Sequence, residues 1–192
     1  MNYPMGKKMS NNSYINYAHR GMTLEHDLNL TNLYYLEKDI AIIYKKPTPI
    51  KVVKVDYNKR INTKITEAYY ETPSTTDYNG IYKGRYIDFE AKETKSKTSF
   101  SLNNIHVHQI KHLEKIVKHG GISFLIIRFT TLNNTFILSS EKLIEFLNDN
   151  SRKSIPLSYI KENGYLIKDT INPRIDYIKW IDNIIENEEN NK

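Results

Sequence analysis

From Arg85 to Thr94 the chain reads Arg-Tyr-Ile-Asp-Phe-Glu-Ala-Lys-Glu-Thr, alternating polar and apolar residues. That period of two predicts a half-buried strand, because successive side chains on a strand point to opposite faces. Ile87, Phe89 and Ala91 share the face that would pack on a core, while Asp88, Glu90 and Lys92 share the other. Upstream, Asp77-Tyr-Asn-Gly80 reads as a turn, since Asn-Gly tolerates positive φ. A hairpin from that turn would bring Asp77 beside Glu90.

The pattern elsewhere predicts the rest of a domain. Residues 1–21 are polar and without period, as in a flexible arm. Thr23 can cap a helix over 24–38, with Glu25 and Asp27 in its first turn and Leu24, Leu28, Tyr35 and Leu36 on its apolar side. Short strands follow at 40–44 and 50–57, separated by Pro47 and Pro49. Asn58 to Thr72 is too long for a tight turn and carries Ile61, Ile65, Tyr69 and Tyr70 without a helix of its own.

Beyond the central strand, Asn103 or Asn104 can cap a helix that stops at Gly120-Gly121. Its stripe is Ile110, Leu113 and Val117, with Gln109 at the border. Ile122 to Phe129 is almost continuously apolar, as a central strand covered on both faces would be. Asn133-Asn134 turns it into a partner at 135–138, and Ser139 or Ser140 starts a short helix with Leu143, Ile144 and Leu147. Pro156 and Gly164 mark an irregular stretch, and Pro173 precedes a last helix with Ile175, Ile178, Ile181 and Ile185. The order predicts a single α/β domain over 22–186 around a mixed sheet, with a disordered acidic tail at 187–192.

Charge narrows the partners. The 192 residues carry a net +6, with a pI near 9.2, which suits an anionic partner. Between Lys45 and Lys64 there are seven basic residues (Lys45, Lys46, Lys51, Lys54, Lys59, Arg60, Lys64) and one acid, Asp56. With Tyr44 and Tyr57 interleaved, this run suits phosphate contact, although a solvated face would look the same. The absence of cysteine excludes disulfides and thiolate metal sites. No apolar run approaches the ~20 residues needed to span a bilayer, and the N-terminus lacks the apolar centre of a signal peptide. A soluble, cytoplasmic protein is expected.

Glu90 and Lys92 stand at the Glu-x-Lys spacing used for metal-assisted cutting of phosphodiesters. Mg²⁺ takes oxygen ligands and keeps several waters, so one or two carboxylates suffice, and a lysine beside it can offset charge developing on phosphorus. On an ordinary strand the same residues would form a solvated charged face. Asp88 shares the strand face with Glu90 and, by position alone, is a better second carboxylate than Asp77. Glu25 is a further acid at a helix start, where a charge that stabilises the helix is the plainer reading. His108 and His112 are spaced for a zinc pair, without a further ligand set; surface histidines are the plainer reading.

The wording of the region settles the choice. PSTTDYNGIYKGRYIDFEAKETKSKTSF, with KKPTPIKVVKVDYNKR before it and HVHQIKH after it, closely resembles the RecU Holliday junction resolvases, members of the PD-(D/E)xK nuclease superfamily. The resemblance implies a restriction-endonuclease-like fold with a projecting stalk at about 58–72 that enters the open centre of a junction. It implies a homodimer, Mg²⁺-dependent hydrolysis with Mn²⁺ able to substitute, and a nick in each of two opposing strands that leaves a 5′-phosphate. Metal ligands would be Thr75, Asp77, Glu90 and Gln109, with Lys92 stabilising the transition state and Asp88 and Glu25 as secondary site residues. Lys45, Lys46, Lys59, Arg60, Lys64, Lys83, Arg85 and Lys95 are the candidate DNA contacts. Arg20 falls where the family has an arm arginine linked to modulation of the RecA recombinase, and a branch-migration helicase is a further implied partner. The other classes are a restriction- or repair-type duplex endonuclease and a non-catalytic DNA-binding or bridging protein.

Overall fold

The computed structural model describes residues 23–56, 64–70, 75–149, 151–168 and 170–190. Its middle layer is a six-stranded sheet in the order β1 (Ile42–Lys45), β4 (Tyr78–Tyr82), β5 (Arg85–Thr94), β7 (Ile122–Phe129), β8 (Asn134–Ser139), β10 (Tyr165–Ile167). β5 and β7 run parallel, and the other neighbours are antiparallel. Joining two parallel strands needs a crossover, and α2 (Val107–Lys118) supplies it.

The apolar run of β7 serves both faces of this sheet. Phe124 and Ile126 look towards α1 (Leu24–Glu37) and α5 (Ile178–Asn190), where Leu28, Tyr35, Ile178 and Ile181 close one core. Leu125, Ile127 and Phe129 look towards α2, α3 (Ser140–Asp149) and α4 (Leu157–Asn163), where Leu113, Leu143, Phe146 and Ile160 close the other. The result is the single α/β domain expected, with the layering of a restriction-endonuclease-like fold.

The N-terminal helix starts as its sequence predicts: Thr23 Oγ1 accepts from the His26 amide at 3.2 Å. Its buried side also holds Asp27, whose carboxylate is held by Arg128 at 2.7 Å and Arg174 at 3.3 Å. Leu36, expected to widen the apolar stripe, is exposed.

The hairpin that carries the site turns four residues later than expected. β4 runs straight through Asn79 and Gly80, and the two-residue turn is Lys83-Gly84, both at positive φ. Gly80 answers a different need. A Cβ there would lie 2.0 Å from the Ile42 carbonyl oxygen, because β1 crosses too close for any side chain. β5 is also more buried than its alternation implies: Asp88 and Glu90 are as closed to solvent as Ile87 and Phe89, since α2 covers the polar face.

β2 (Ile50–Asp56) does not join the central sheet. It pairs antiparallel with β3 (Lys64–Tyr70), which lies inside the stretch expected to be without a helix of its own. No residue of this ribbon is buried, and Tyr69 and Tyr70 are widely exposed. The stretch expected as a stalk, about 58–72, thus holds one strand of a ribbon whose other strand starts at Ile50; residues 57–63 and 71–74 lie outside the described residues, as does the 1–21 arm.

Three further differences are local. Residues 102–104 form a short 3-10 turn, and α2 begins later than expected, at Val107. The stretch around Pro156 and Gly164 is regular, with β9 (Ser154–Pro156) pairing β6 (Ser99–Ser101), then α4, then the edge strand β10. α5 continues to Asn190, past residue 187 where disorder was expected, and Arg85 pairs with Glu188 on its last turn. Among the described residues, no helix is long and apolar enough to cross a membrane.

Candidate active site

Register brings the site together. β4 and β5 pair Tyr78 with Phe89 and Asn79 with Asp88, so Asp77, one step before β4, lies across from Glu90. Asp77 Oδ2 accepts the backbone N–H of Ala91 at 3.0 Å, which pins the carboxylate to the middle of β5 and leaves its other oxygen for a ligand. The aromatic stack Tyr78–Phe89–Phe124, with centroids 4.9 and 4.8 Å apart, holds the two strands in this register from the opposite face.

Glu90 is fully buried, and neither carboxylate oxygen has a partner in hydrogen-bond geometry. Lys92 Nζ approaches Oε1 to 2.5 Å as an ion-pair contact without the alignment of a hydrogen bond. Burial and then the neighbouring Asp77 charge push the Glu90 pKa up to about 7, with Lys92 and Gln109 pulling the other way. An unsatisfied buried carboxylate beside a second carboxylate is what a bound cation would relieve, so the donor set fits a hard divalent ion. Among the described residues no group of three or more His, Cys, Asp or Glu side chains is gathered for a metal.

Asp77 and Lys92 line a cleft of about 290 Å³ beside the start of α1. Glu25 lies on its wall and pairs with Lys45 at 2.5 Å, both side chains well exposed. Glu93 Oε1 accepts the Leu24 amide at 2.8 Å, which ties the helix start to β5.

Gln109 is buried on α2, facing Glu90, but its Oε1 already accepts the His106 amide at 2.9 Å. The backbone donor fixes which end of the amide is which. The oxygen that would serve a cation is engaged as a helix cap, so only the nitrogen of Gln109 is left to face Glu90, short of hydrogen-bond geometry. Thr75 is exposed, with Lys46 Nζ 3.1 Å from its hydroxyl.

Asp88 is placed differently from its neighbour. It is fully buried and takes Lys46 at 2.7 Å, Tyr86 at 3.0 Å, His112 at 3.2 Å and the Thr76 hydroxyl at shorter range. Its lone pairs are consumed by the chain, which leaves Asp77 as the carboxylate that faces Glu90. His108 stacks on His106. Sequence reasoning missed Thr76, Tyr86 and His112 as a set. The one available signal was that His112 stands one turn after Gln109 on the same side of the helix.

The candidate DNA contacts scatter. Lys64 is exposed on β3, Lys95 is exposed after β5, and Lys83 and Arg85 pair with Asp182 at 2.7 Å and Glu188 at 2.5 Å on α5. Lys46 is turned inward. Lys59, Arg60 and Arg20 lie outside the described residues.

Residues 19–183 match the family described as Recombination protein U, RecU. A Holliday junction resolvase RecU of Geobacillus kaustophilus (strain HTA426) is 53% identical over 194 residues, covering 96% of this chain and 97% of its own. One of Geobacillus sp. (strain WCH70) is 55% identical over 172 residues, covering 88% and 86%. One of Staphylococcus aureus (strain JH9) is 49% identical over 203 residues, covering 98% of each. The match spans the hairpin of Asp77 and Glu90 and the helix that covers it, and on that ground this chain belongs to the RecU family.

Proposed function

We propose that this chain is a Mg²⁺-dependent endonuclease that resolves four-way DNA junctions in recombination and repair. The observation that carries the reading is Glu90, a fully buried carboxylate with no hydrogen-bond partner, set across from Asp77 with the Lys92 ammonium 2.5 Å away. Asp77 and Glu90 would hold the ion, with Thr75 and Gln109 at the periphery. Bound there, Mg²⁺ would supply Lewis-acid polarisation of the scissile phosphate. Asp77, fixed by Ala91 N–H, gives the site a rigid wall. Lys92 reaches the cleft and offsets charge that develops on the phosphate oxygens as the bond breaks. The Glu25–Lys45 pair at the cleft wall is exposed enough to open, freeing Lys45 for a phosphate.

The finer features follow from the substrate. Two symmetric nicks in opposing strands, each leaving a 5′-phosphate, need two sites related by a two-fold axis, so the proposal includes a homodimer. The ribbon of β2 and β3, without a buried residue, supports the reading that it enters the open centre of the junction.

The test compares gel cleavage of a four-way junction and a linear duplex of the same sequence with Mg²⁺, alongside light scattering for mass. Expected are paired nicks in the junction, a duplex left whole and a dimer mass. Equal cutting of both substrates makes the chain a duplex endonuclease. Junction binding without any nick makes it a bridging protein.

A further inference from the structure

Lys45 and Lys46 look interchangeable in the sequence, and the structure separates them completely. Lys45 extends to Glu25 with 45% of its side chain exposed; Lys46 turns the other way and is 15% exposed. Its backbone N–H donates to the Asp77 carbonyl at 2.8 Å, continuing the β1–β4 ladder by one bond. Its Nζ then reaches Thr75 Oγ1 at 3.1 Å, Thr76 Oγ1 at 2.5 Å and Asp88 Oδ2 at 2.7 Å. One residue thus holds each of three consecutive residues, Thr75, Thr76 and Asp77, and anchors them to β5.

We propose that Lys46 is a positioning residue for the cleavage site: pinned to buried Asp88, it holds the Thr75–Asp77 segment at the height where Asp77 faces Glu90. Asp88 lies two residues before Glu90 on the same face of β5, so the anchor and the carboxylate to be matched share one rigid strand. Tyr86 and His112 complete the seat by bonding the Asp88 oxygen that Lys46 also uses. A phosphate contact would be a poor use of this ammonium. To reach DNA it must leave Asp88 buried without its counter-charge, whereas Lys45 gives up only an exposed pair. The inference rests on Asp77 and Glu90 being the pair that holds the metal.

Groups that orient metal ligands typically change affinity about 10–100-fold when lost. The experiment titrates the full chain with Mn²⁺ alone, following free Mn²⁺ by electron paramagnetic resonance, for wild type, Asp77→Asn, Lys46→Met and Lys46→Met/Asp88→Asn. The double variant leaves no lone buried charge and keeps the test available if Lys46→Met fails to fold by circular dichroism. Expected is an increase of about tenfold in the Mn²⁺ dissociation constant for both Lys46 variants. Junction affinity in EDTA should keep its wild-type salt slope, and the cleavage deficit should shrink as Mn²⁺ is raised.

The Mn²⁺ constant decides. A change below about threefold in a folded Lys46 variant overturns the proposal whatever junction binding does, and a salt slope reduced by about one would then make Lys46 a phosphate contact. If Asp77→Asn loses Mn²⁺ while the Lys46 variants keep it, the positioning role fails and the metal site stands. If Asp77→Asn binds Mn²⁺ as wild type does, the metal site is elsewhere and both readings fall.

Discussion

Asp88 and Glu90 sit on one face of one strand, both fully buried, in opposite circumstances. Asp88 is ringed by Lys46, Thr76, Tyr86 and His112. Glu90 has one crowding ammonium and no hydrogen bond. A buried carboxylate that the chain satisfies is part of the architecture. One that the chain leaves unsatisfied costs folding free energy unless something from outside completes it. The same strand therefore carries, two residues apart, an acid that the chain satisfies and one that it leaves open, and burial alone does not tell them apart.

The largest effect should come from removing the proposed metal-holding pair. Asp77→Asn or Glu90→Gln is expected to take cleavage to background while junction binding in EDTA persists, because phosphate affinity is spread over many lysines. Single-turnover cleavage beside a mobility-shift titration measures both. Cutting by Glu90→Gln at the wild-type rate in low Mg²⁺ would erase the contrast with Asp88. Lys92→Ala should follow, with a loss of about a hundred- to a thousandfold in the single-turnover rate at saturating enzyme. A loss explained wholly by weaker binding makes Lys92 a phosphate anchor.

Stability should sort the two acids in the opposite sense. Asp88→Ala strips Lys46 of its partner in a mostly buried setting and should cost about 3–5 kcal/mol in urea unfolding without metal. Glu90→Gln removes an unsatisfied charge and should leave the metal-free fold as stable or more so. Destabilisation of the same size by both variants would mean that Glu90 is architectural too.

The smallest effect is one of pH. Burial and Asp77 raise the Glu90 pKa to about 7, so the folded chain holds this proton more tightly than the unfolded chain does. The stabilisation from that proton is complete below the ordinary carboxylate range and is lost as pH rises through about 7. Metal-free wild type should therefore lose on the order of 1 kcal/mol more than Glu90→Gln between pH 6 and pH 8. Parallel pH profiles for the two proteins would show that the carboxylate is ionised throughout.

Local pattern was enough to write down the span of β5, the Thr23 cap, the run of β7 and the Glu90–Lys92 spacing. Each depends on residues within a few positions of one another, where the strand period and capping chemistry act directly. The family wording supplied Asp77 over Asp88, against the plain geometry of the strand face. What the sequence could not rank was decided by partners brought from afar. Lys46 reaches Asp88 across 42 residues and His112 across 24, and those contacts turn one acid into a seat and leave the other open. The turn moved from Asn79-Gly80 to Lys83-Gly84 for a similar reason, since Gly80 is required where β1 passes and not where the chain reverses. Local preference proposes a turn or a ligand at low cost. Packing a third strand or burying a counter-charge involves larger energies, and the tertiary structure chose accordingly.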